Sequence, residues 1–242
     1  MSNLIHGSTA QITIETSHAA KTYSSNVENL TRELTVYKRL GKHPYVAELL
    51  HFQDQTLYLE RGQCLRDMLR KCDITDQQKT NWIIGLALGL EYIHSKNVVH
   101  ADLNAANVII CKVIPNKNCA KWIDFGGSGI DHHQALANYD EYSYQPPQPP
   151  NQRTDIFAFG CTMFEIETGV PPFYKETQGM SVDATISYVE ERYTARQYPQ
   201  TEHLRFHSII TGCWLGRYNS MQELREDLEL NFGHEEQHVV DF

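Results

Sequence analysis

Apolar and polar residues alternate across 10–23, with Ile12, Ile14, Ala20 and Tyr23 set around the polar Glu15-Thr16-Ser17, and this pattern predicts a β-hairpin. The period then changes. Val27, Leu30, Leu34, Tyr37 and Leu40 recur at helical spacing, which predicts an amphipathic helix over 27–40 ended by Gly41 and Pro44. Residues 45–52 and 55–60 read as two more strands, so the first 60 residues form a small β-rich unit carrying one helix. After Gly62 the chain turns helical, first over 64–71 and then over 77–94. The run Trp82-Ile83-Ile84-Gly85-Leu86-Ala87-Leu88-Gly89-Leu90 leaves no polar face, which predicts a buried helix. Apolar runs at 107–111 and 121–123 flank the turn-like Pro115-Asn116-Lys117-Asn118 and predict a second hairpin. Residues 124–153 are polar and irregular, 154–230 return to helix with loops at 169–173 and 216–219, and 233–242 read as a tail.

Composition narrows the class without naming it. With 242 residues, 41% hydrophobic and 21% charged, the chain has material for a sizeable core and is neither disordered nor fibrous. Lys and Arg number 21 against 30 Asp and Glu, a net charge of −9 that argues against a nucleic-acid partner. The six cysteines include no Cys-x-x-Cys pair and read as reduced core thiols. No charged leader with an apolar run opens the chain, and no apolar stretch reaches about 18 residues. A soluble intracellular protein, cytoplasmic or nuclear and without a membrane partner, is therefore expected.

The chemistry is concentrated in two stretches. Val98-Val99-His100-Ala101-Asp102-Leu103-Asn104-Ala105-Ala106-Asn107 sets an Asn five residues after an Asp, and Trp122-Ile123-Asp124-Phe125-Gly126 follows the second hairpin. These stretches resemble the catalytic loop and the Asp-Phe-Gly motif of the protein-kinase family. The resemblance runs roughly from Gly7 to Leu230. Thr154-Asp155-Ile156-Phe157-Ala158-Phe159-Gly160 is similar to the family's Asp-x-Trp-x-x-Gly helix, whose Asp supports the catalytic-loop backbone. Gly169-Val170-Pro171-Pro172-Phe173 and Gly212-Cys213-Trp214 match late segments that small-molecule phosphotransferases usually lack.

The resemblance implies an α+β bilobal fold in a single domain, with a reduced β-rich N-lobe over 1–60, a hinge at 61–62, a helical C-lobe over 63–232 and a tail over 233–242. It further implies ATP-dependent transfer of the γ-phosphoryl group to Ser or Thr hydroxyls of a protein substrate, with Mg2+ as the metal. Asp102 would be the base, and Asn107 and Asp124 the metal ligands. Ala19-Ala20-Lys21 resembles the strand that presents the phosphate-binding lysine, and Arg32-Glu33-Leu34 the helix whose Glu pairs with it, Glu28 being the competing partner. Leu57-Tyr58-Leu59-Glu60-Arg61-Gly62 resembles the hinge region, with Leu59 as gatekeeper and the backbone from Glu60 to Gly62 facing adenine. Two rival functions remain: a pseudokinase that binds nucleotide or a regulatory protein partner, and a small-molecule phosphotransferase.

Departures from the family pattern carry their own expectations. The Gly-x-Gly-x-x-Gly loop is absent, with only Gly7-Ser8-Thr9-Ala10 before the hairpin, so a vestigial or missing first strand and a poor phosphate cradle are expected. Ala101 replaces the arginine of His-Arg-Asp, and Asn104 the basic residue usual in the loop. Pro146-Pro147-Gln148 stands for Ala-Pro-Glu, which leaves Arg217 without its acidic partner. Ser128, Tyr139, Tyr142, Ser143 and Tyr144 are phosphate acceptors in a segment already acidic through Asp131, Asp140 and Glu141. Without the loop arginine, activity independent of segment phosphorylation is expected, Arg153 being the alternative cation. His132-His133 read as solvated loop histidines, and the Pro-x-x-Pro pattern over 146–150 as the end of the segment.

Overall fold

The computed structural model describes residues 3–6, 10–114, 117–143 and 149–233. A five-stranded antiparallel sheet makes the N-terminal lobe, from β1 (Asn3–His6), β2 (Gln11–Ile14), β3 (Ala19–Thr22), β4 (Leu49–Gln53) and β5 (Thr56–Leu59) in the order β1-β2-β3-β5-β4. The expected hairpin is β2–β3. In it Lys21 stands opposite Ile12 on one side and Leu57 of β5 on the other, so two neighbours fix its backbone. Helix α1 (Val27–Leu40) follows the periodicity read for it and stops at Gly41, whose φ of 59° suits glycine and whose N–H donates to Tyr37 O. It buries Leu30, Glu33, Val36, Tyr37 and Leu40, while Val27 at its start is exposed.

Two strand expectations are corrected. A first strand is present, running antiparallel to β2 from Asn3↔Ile14 to His6↔Gln11. Pairing requires only the open backbone edge of β2, and no glycine triad is needed for it. Gly7, Ser8 and Thr9 lie outside the described residues. The strand read over 45–52 begins only at Leu49. Its first part crosses to the other lobe, where Ala47 N donates to Trp122 O at 3.0 Å and Trp122 N to Tyr45 O at 3.0 Å. Glycine makes that crossing possible, since a Cβ on Gly89 would sit 2.9 Å from Tyr45 Cβ and one on Gly85 2.5 Å from its ring.

The C-terminal lobe begins with β6 (Gln63–Cys64), α2 (Leu65–Lys71) and α3 (Asp76–Ser95), the last opened by a Thr75–Gln78 capping box. Next come β7 (Val98–Val99), a 3-10 turn at Ala105–Asn107, β8 (Val108–Ile114), β9 (Lys117–Trp122) and β10 (Gly129–Ile130). Strands β6-β8-β9 form one small sheet and β10-β7 another. The expected second hairpin is β8–β9, and Pro115 and Asn116 of its turn lie outside the described residues. Helices α4 (Gln152–Thr168), α5 (Val182–Thr194), α6 (His207–Trp214) and α7 (Met221–Phe232) complete the lobe. As the all-apolar reading required, α3 is a core helix, with Trp82, Ile83, Leu86 and Leu90 buried, and α4 is another, with Phe157, Phe159, Met163 and Phe164 buried.

No disulfide joins any of the six cysteines among the described residues. Cys111, Cys161 and Cys213 are buried as expected, but Cys72 is exposed because it caps the outer end of α2. Among the described residues, no helix is long and apolar enough to cross a membrane. Close packing of α4 on α6 depends on Gly160, where a Cβ would lie 2.6 Å from Cys213 Cβ. Gly160→Val is therefore expected to lower the unfolding free energy by about 1–3 kcal/mol, measured by urea denaturation.

Candidate active site

Hairpin pairing explains how residues far apart in sequence meet. Asn107 immediately precedes β8 and Asp124 follows β9 by one residue, and the open end of the hairpin is closed by Val108↔Trp122 and by Ile123 N donating to Asn107 O at 3.0 Å. Lys21 reaches this point from the sheet above. Its Nζ lies 2.9 Å from Glu33 Oε2 and 2.8 Å from Asp124 Oδ1. Glu33 is buried and Glu28 exposed, so the structure brings Glu33 and not Glu28 to the lysine. The Phe125 N–H also donates to Glu33 Oε1, at 3.2 Å. Burial alone would lower the pKa of Lys21, but Glu33 and Asp124 outweigh it and hold the ammonium well above the ordinary lysine value. Burial likewise works to raise Asp124, and the Lys21 charge and hydrogen bond bring its carboxyl below the usual aspartate range.

Asp102 lies beside this cluster. Asn107 Nδ2 donates to its Oδ2 and to its carbonyl, each at 2.8 Å, and Asn104 Nδ2 donates to Oδ1 at 3.1 Å. Burial pushes Asp102 up to about 7, helped by Asp140 and Asp124 and opposed by the Asn107 bond and Arg66. Asn104 also accepts from Ala106 N at 2.9 Å, which fixes the 3-10 turn leading to Asn107. The sequence reading noted Asn104 only as a lost basic residue. Its amide at two positions past Asp102 is the signal that would have found this role.

The loop backbone is held by Asp155, as the resemblance implied. Its carboxylate accepts from His100 N at 2.8 Å, Ala101 N at 3.0 Å and the Tyr139 hydroxyl at 2.8 Å, with His94 Nε2 at 2.8 Å. These bonds stabilise a left-handed φ of 67° at Ala101, a conformation costly for a residue with a Cβ. His100 donates from Nε2 to Ile123 O at 3.0 Å and packs on Phe125, which meets Tyr37 edge-on at 5.1 Å.

Carboxylates and arginines hold the segment after Asp124. Arg39 pairs with both oxygens of Asp131 at 3.0 and 2.8 Å, Arg32 donates to the carbonyls of Ser128 and Gln134, and Arg66 joins Glu165 at 2.6 Å to Asp140 at 3.4 Å. Arg153, the alternative cation named from the sequence, donates to Asn219. Of the expected phosphate acceptors, Ser128, Tyr139 and Ser143 are buried, because their hydroxyls serve the packing of the segment on the lobe. Tyr144 lies outside the described residues, as do Pro146, Pro147 and Gln148. Arg217 donates to Ser208 O at 3.3 Å. The His132 and His133 rings lie 4.3 Å apart, and no group of three or more His, Cys, Asp or Glu among the described residues is arranged to hold a metal.

Between sheet and hairpin lies a cleft of about 400 Å³ with apolar walls from Ile12, Ile14, Ala19, Ile109 and Ile123. Leu59, Glu60 and Gly62 line it, as do Lys21, Glu33 and Asp124. Apolar walls with a few charged groups suit a ligand that has a flat apolar part and an anionic part.

Residues 7–224 match the protein kinase domain family. The chain belongs to the protein kinase family. This kinase domain is similar to serine/threonine-protein kinase CTR1 of Arabidopsis thaliana, 25% identical over 213 residues that cover 79% of the chain and 25% of that protein. It is similar to serine/threonine/tyrosine-protein kinase HT1 of the same organism, 23% identical over 81% of the chain and 52% of that protein. It also resembles a Mus musculus protein named inactive serine/threonine-protein kinase PLK5, 30% identical over 59% of the chain and 26% of that protein. The chain thus spans between about a quarter and about half of the length of these relatives.

Burial tends to raise the Asp155 pKa, but the bond and charge of His94 and the Ala101 N–H hold it below the ordinary aspartate range. A depressed folded-state value stabilises above the unfolded pKa, and this stabilisation is lost as pH falls through the folded value. Asp155→Ala strands the His100 and Ala101 N–H groups and is expected to cost about 3–5 kcal/mol. Its unfolding midpoint should also fall less than that of the unmutated protein between about pH 7 and about pH 3.

Proposed function

We propose that this kinase domain transfers the γ-phosphoryl group of ATP to Ser or Thr hydroxyls of a protein substrate. The observation that carries this reading is the convergence of Lys21, Glu33 and Asp124 at one cleft, beside an Asp102 held by Asn107. Lys21, fixed by Glu33, presents its charge to the α- and β-phosphates. Leu59 and the backbone from Glu60 to Gly62 face the adenine, within an N-lobe over 1–60, a hinge at 61–62 and a C-lobe over 63–232. Asp102 accepts the proton of the substrate hydroxyl, for which burial has made it more basic than an ordinary aspartate. The donor set suits Mg2+: Lys21 occupies Asp124 Oδ1, Asn107 donates from Nδ2, and Asp124 Oδ2 and Asn107 Oδ1 are hard oxygen ligands. Mg2+ held by Asp124 and Asn107 would supply a positive charge that offsets the charge of the transferred group.

The match to the protein kinase domain argues against a small-molecule phosphotransferase. A pseudokinase acting through nucleotide or a regulatory protein partner is the second reading, favoured by Ala101 and by the lack of a Gly-x-Gly-x-x-Gly sequence. The acidic balance fits a soluble protein of cytoplasm or nucleus that does not act on nucleic acid.

Radiolabelled ATP, Mg2+ and generic protein substrates test the proposal, with Asp102→Asn expected to lower transfer by about 10²-fold or more. Nucleotide binding without transfer by the unmutated protein would decide for the pseudokinase. Segment phosphorylation gives a separate test. Phosphatase-treated protein is expected to keep its transfer rate, whereas Arg39→Ala lowers it, because Asp131 already supplies the anion that orders the segment. A large loss after phosphatase, restored by an upstream kinase, would contradict this.

A further inference from the structure

We infer that Tyr23 is a positioning residue for the Lys21–Glu33 pair, holding the Glu33 carboxylate where Lys21 and the Phe125 N–H meet it. This rests on the proposed nucleotide site and adds a member that the sequence reading took only as an apolar position of the first hairpin.

Tyr23 follows β3 directly and lies two residues beyond Lys21, so extended backbone puts both side chains on one face. Its N–H donates to Gln55 O at 3.1 Å, which continues the pairing with the β5 side of the sheet. The ring is buried, and Lys21 Nζ stands 5.4 Å from its centroid. The hydroxyl donates to Glu33 Oε2 at 2.5 Å, the same oxygen that lies 2.9 Å from Lys21 Nζ. Oε1 accepts from Lys21 at 3.1 Å and from Phe125 N at 3.2 Å. One ammonium shared with Asp124 does not fully compensate a buried carboxylate, and the added O–H donor satisfies a remaining lone pair.

Two features show that the hydroxyl does more than fill space. A Cβ on Gly126 would lie 2.9 Å from the Tyr23 oxygen, so the glycine of Asp-Phe-Gly leaves room for the phenol tip. Phenylalanine would fill the same volume without the cost of burying a hydroxyl. Tyr37, also on the Phe125 side of α1, shows the contrast: its buried hydroxyl has no hydrogen-bond partner among the described residues. Burial, followed by the Glu33 charge, raises the Tyr23 pKa, so the phenol stays protonated and acts as a donor. Tyr23 thereby ties the strand carrying Lys21 to α1 and to the start of the segment that carries Asp124.

The test is a double-mutant cycle between Tyr23→Phe and Glu33→Gln, read on the affinity for Mg-ATP and, without nucleotide, on urea unfolding and amide exchange at Phe125. Tyr23→Phe is expected to weaken Mg-ATP binding by about tenfold and to speed exchange at Phe125. In the Glu33→Gln background the same change should alter affinity by less than about twofold, because the acceptor it served is gone. Equal losses in both backgrounds, or unchanged exchange at Phe125, would overturn the inference. If the unmutated protein binds no nucleotide, the proposed function fails, and the inference is then decided by unfolding and exchange alone: non-additive effects support it and additive effects overturn it. Tyr23→Met removes the same hydroxyl and replaces Tyr23→Phe in the cycle should the latter not fold.

Discussion

An ammonium buried between two carboxylates holds the two lobes of this domain to one geometry. Removing Lys21 and Glu33 from water is costly, and that cost is met only when they arrive together with the half-exposed Asp124. Each comes from a different element: a central strand, the helix packed on the sheet, and the end of a hairpin in the other lobe. The cluster therefore acts as a condition on the fold as well as a site. Withdrawing α1 would take Glu33 from Lys21 and leave the buried ammonium with Asp124 alone, and breaking a buried pair of this kind costs about 3–5 kcal/mol. Tyr23 and the Phe125 N–H tighten the same condition by supplying neutral donors to Glu33.

A second anchor supports the acceptor side. Asp155 gathers the backbone of His100 and Ala101 and the hydroxyl of Tyr139, so the loop carrying Asp102 and the segment after Asp124 are fixed to one buried helix. Arg32 and Arg39 then tie α1 to that segment, and Arg66 ties α2 to α4 and Asp140. The segment is ordered by carboxylates encoded in the chain. The family's loop arginine is replaced by Ala101, and the described part of the segment takes its cations from other helices.

Much of this was legible in the sequence. The helical period over 27–40, the all-apolar run of α3 and the two apolar runs that pair as β8 and β9 each report local physics that tertiary contacts did not override, although Lys117 and Asn118, read as turn, belong to β9. Motif spacing was enough to single out Lys21, Glu33 and Asp124, which line one cleft, and Asp102 and Asn107, which hydrogen-bond to each other. What escaped depends on partners distant in sequence. Strand β1 needs only the open edge of β2, and nothing in its own four residues signals that edge. The start of the strand read at 45 was claimed by Trp122 and by space beside Gly85 and Gly89. Tyr23 reads as one more apolar residue of a hairpin, and nothing near Arg39 or Arg66 in sequence marks their roles, because their carboxylates lie on other elements.

If the buried cluster is a preassembled receptor for metal-bound nucleotide, its occupancy must depend on the metal and on Asp124. The direct measurement is the thermal unfolding of nucleotide-free protein, titrated with ATP in Mg2+ or in EDTA, for the unmutated chain and for Asp124→Asn. The account predicts a rise in Tm with Mg-ATP that largely disappears in EDTA and in Asp124→Asn. An equal rise in EDTA, or one that Asp124→Asn leaves intact, would contradict it.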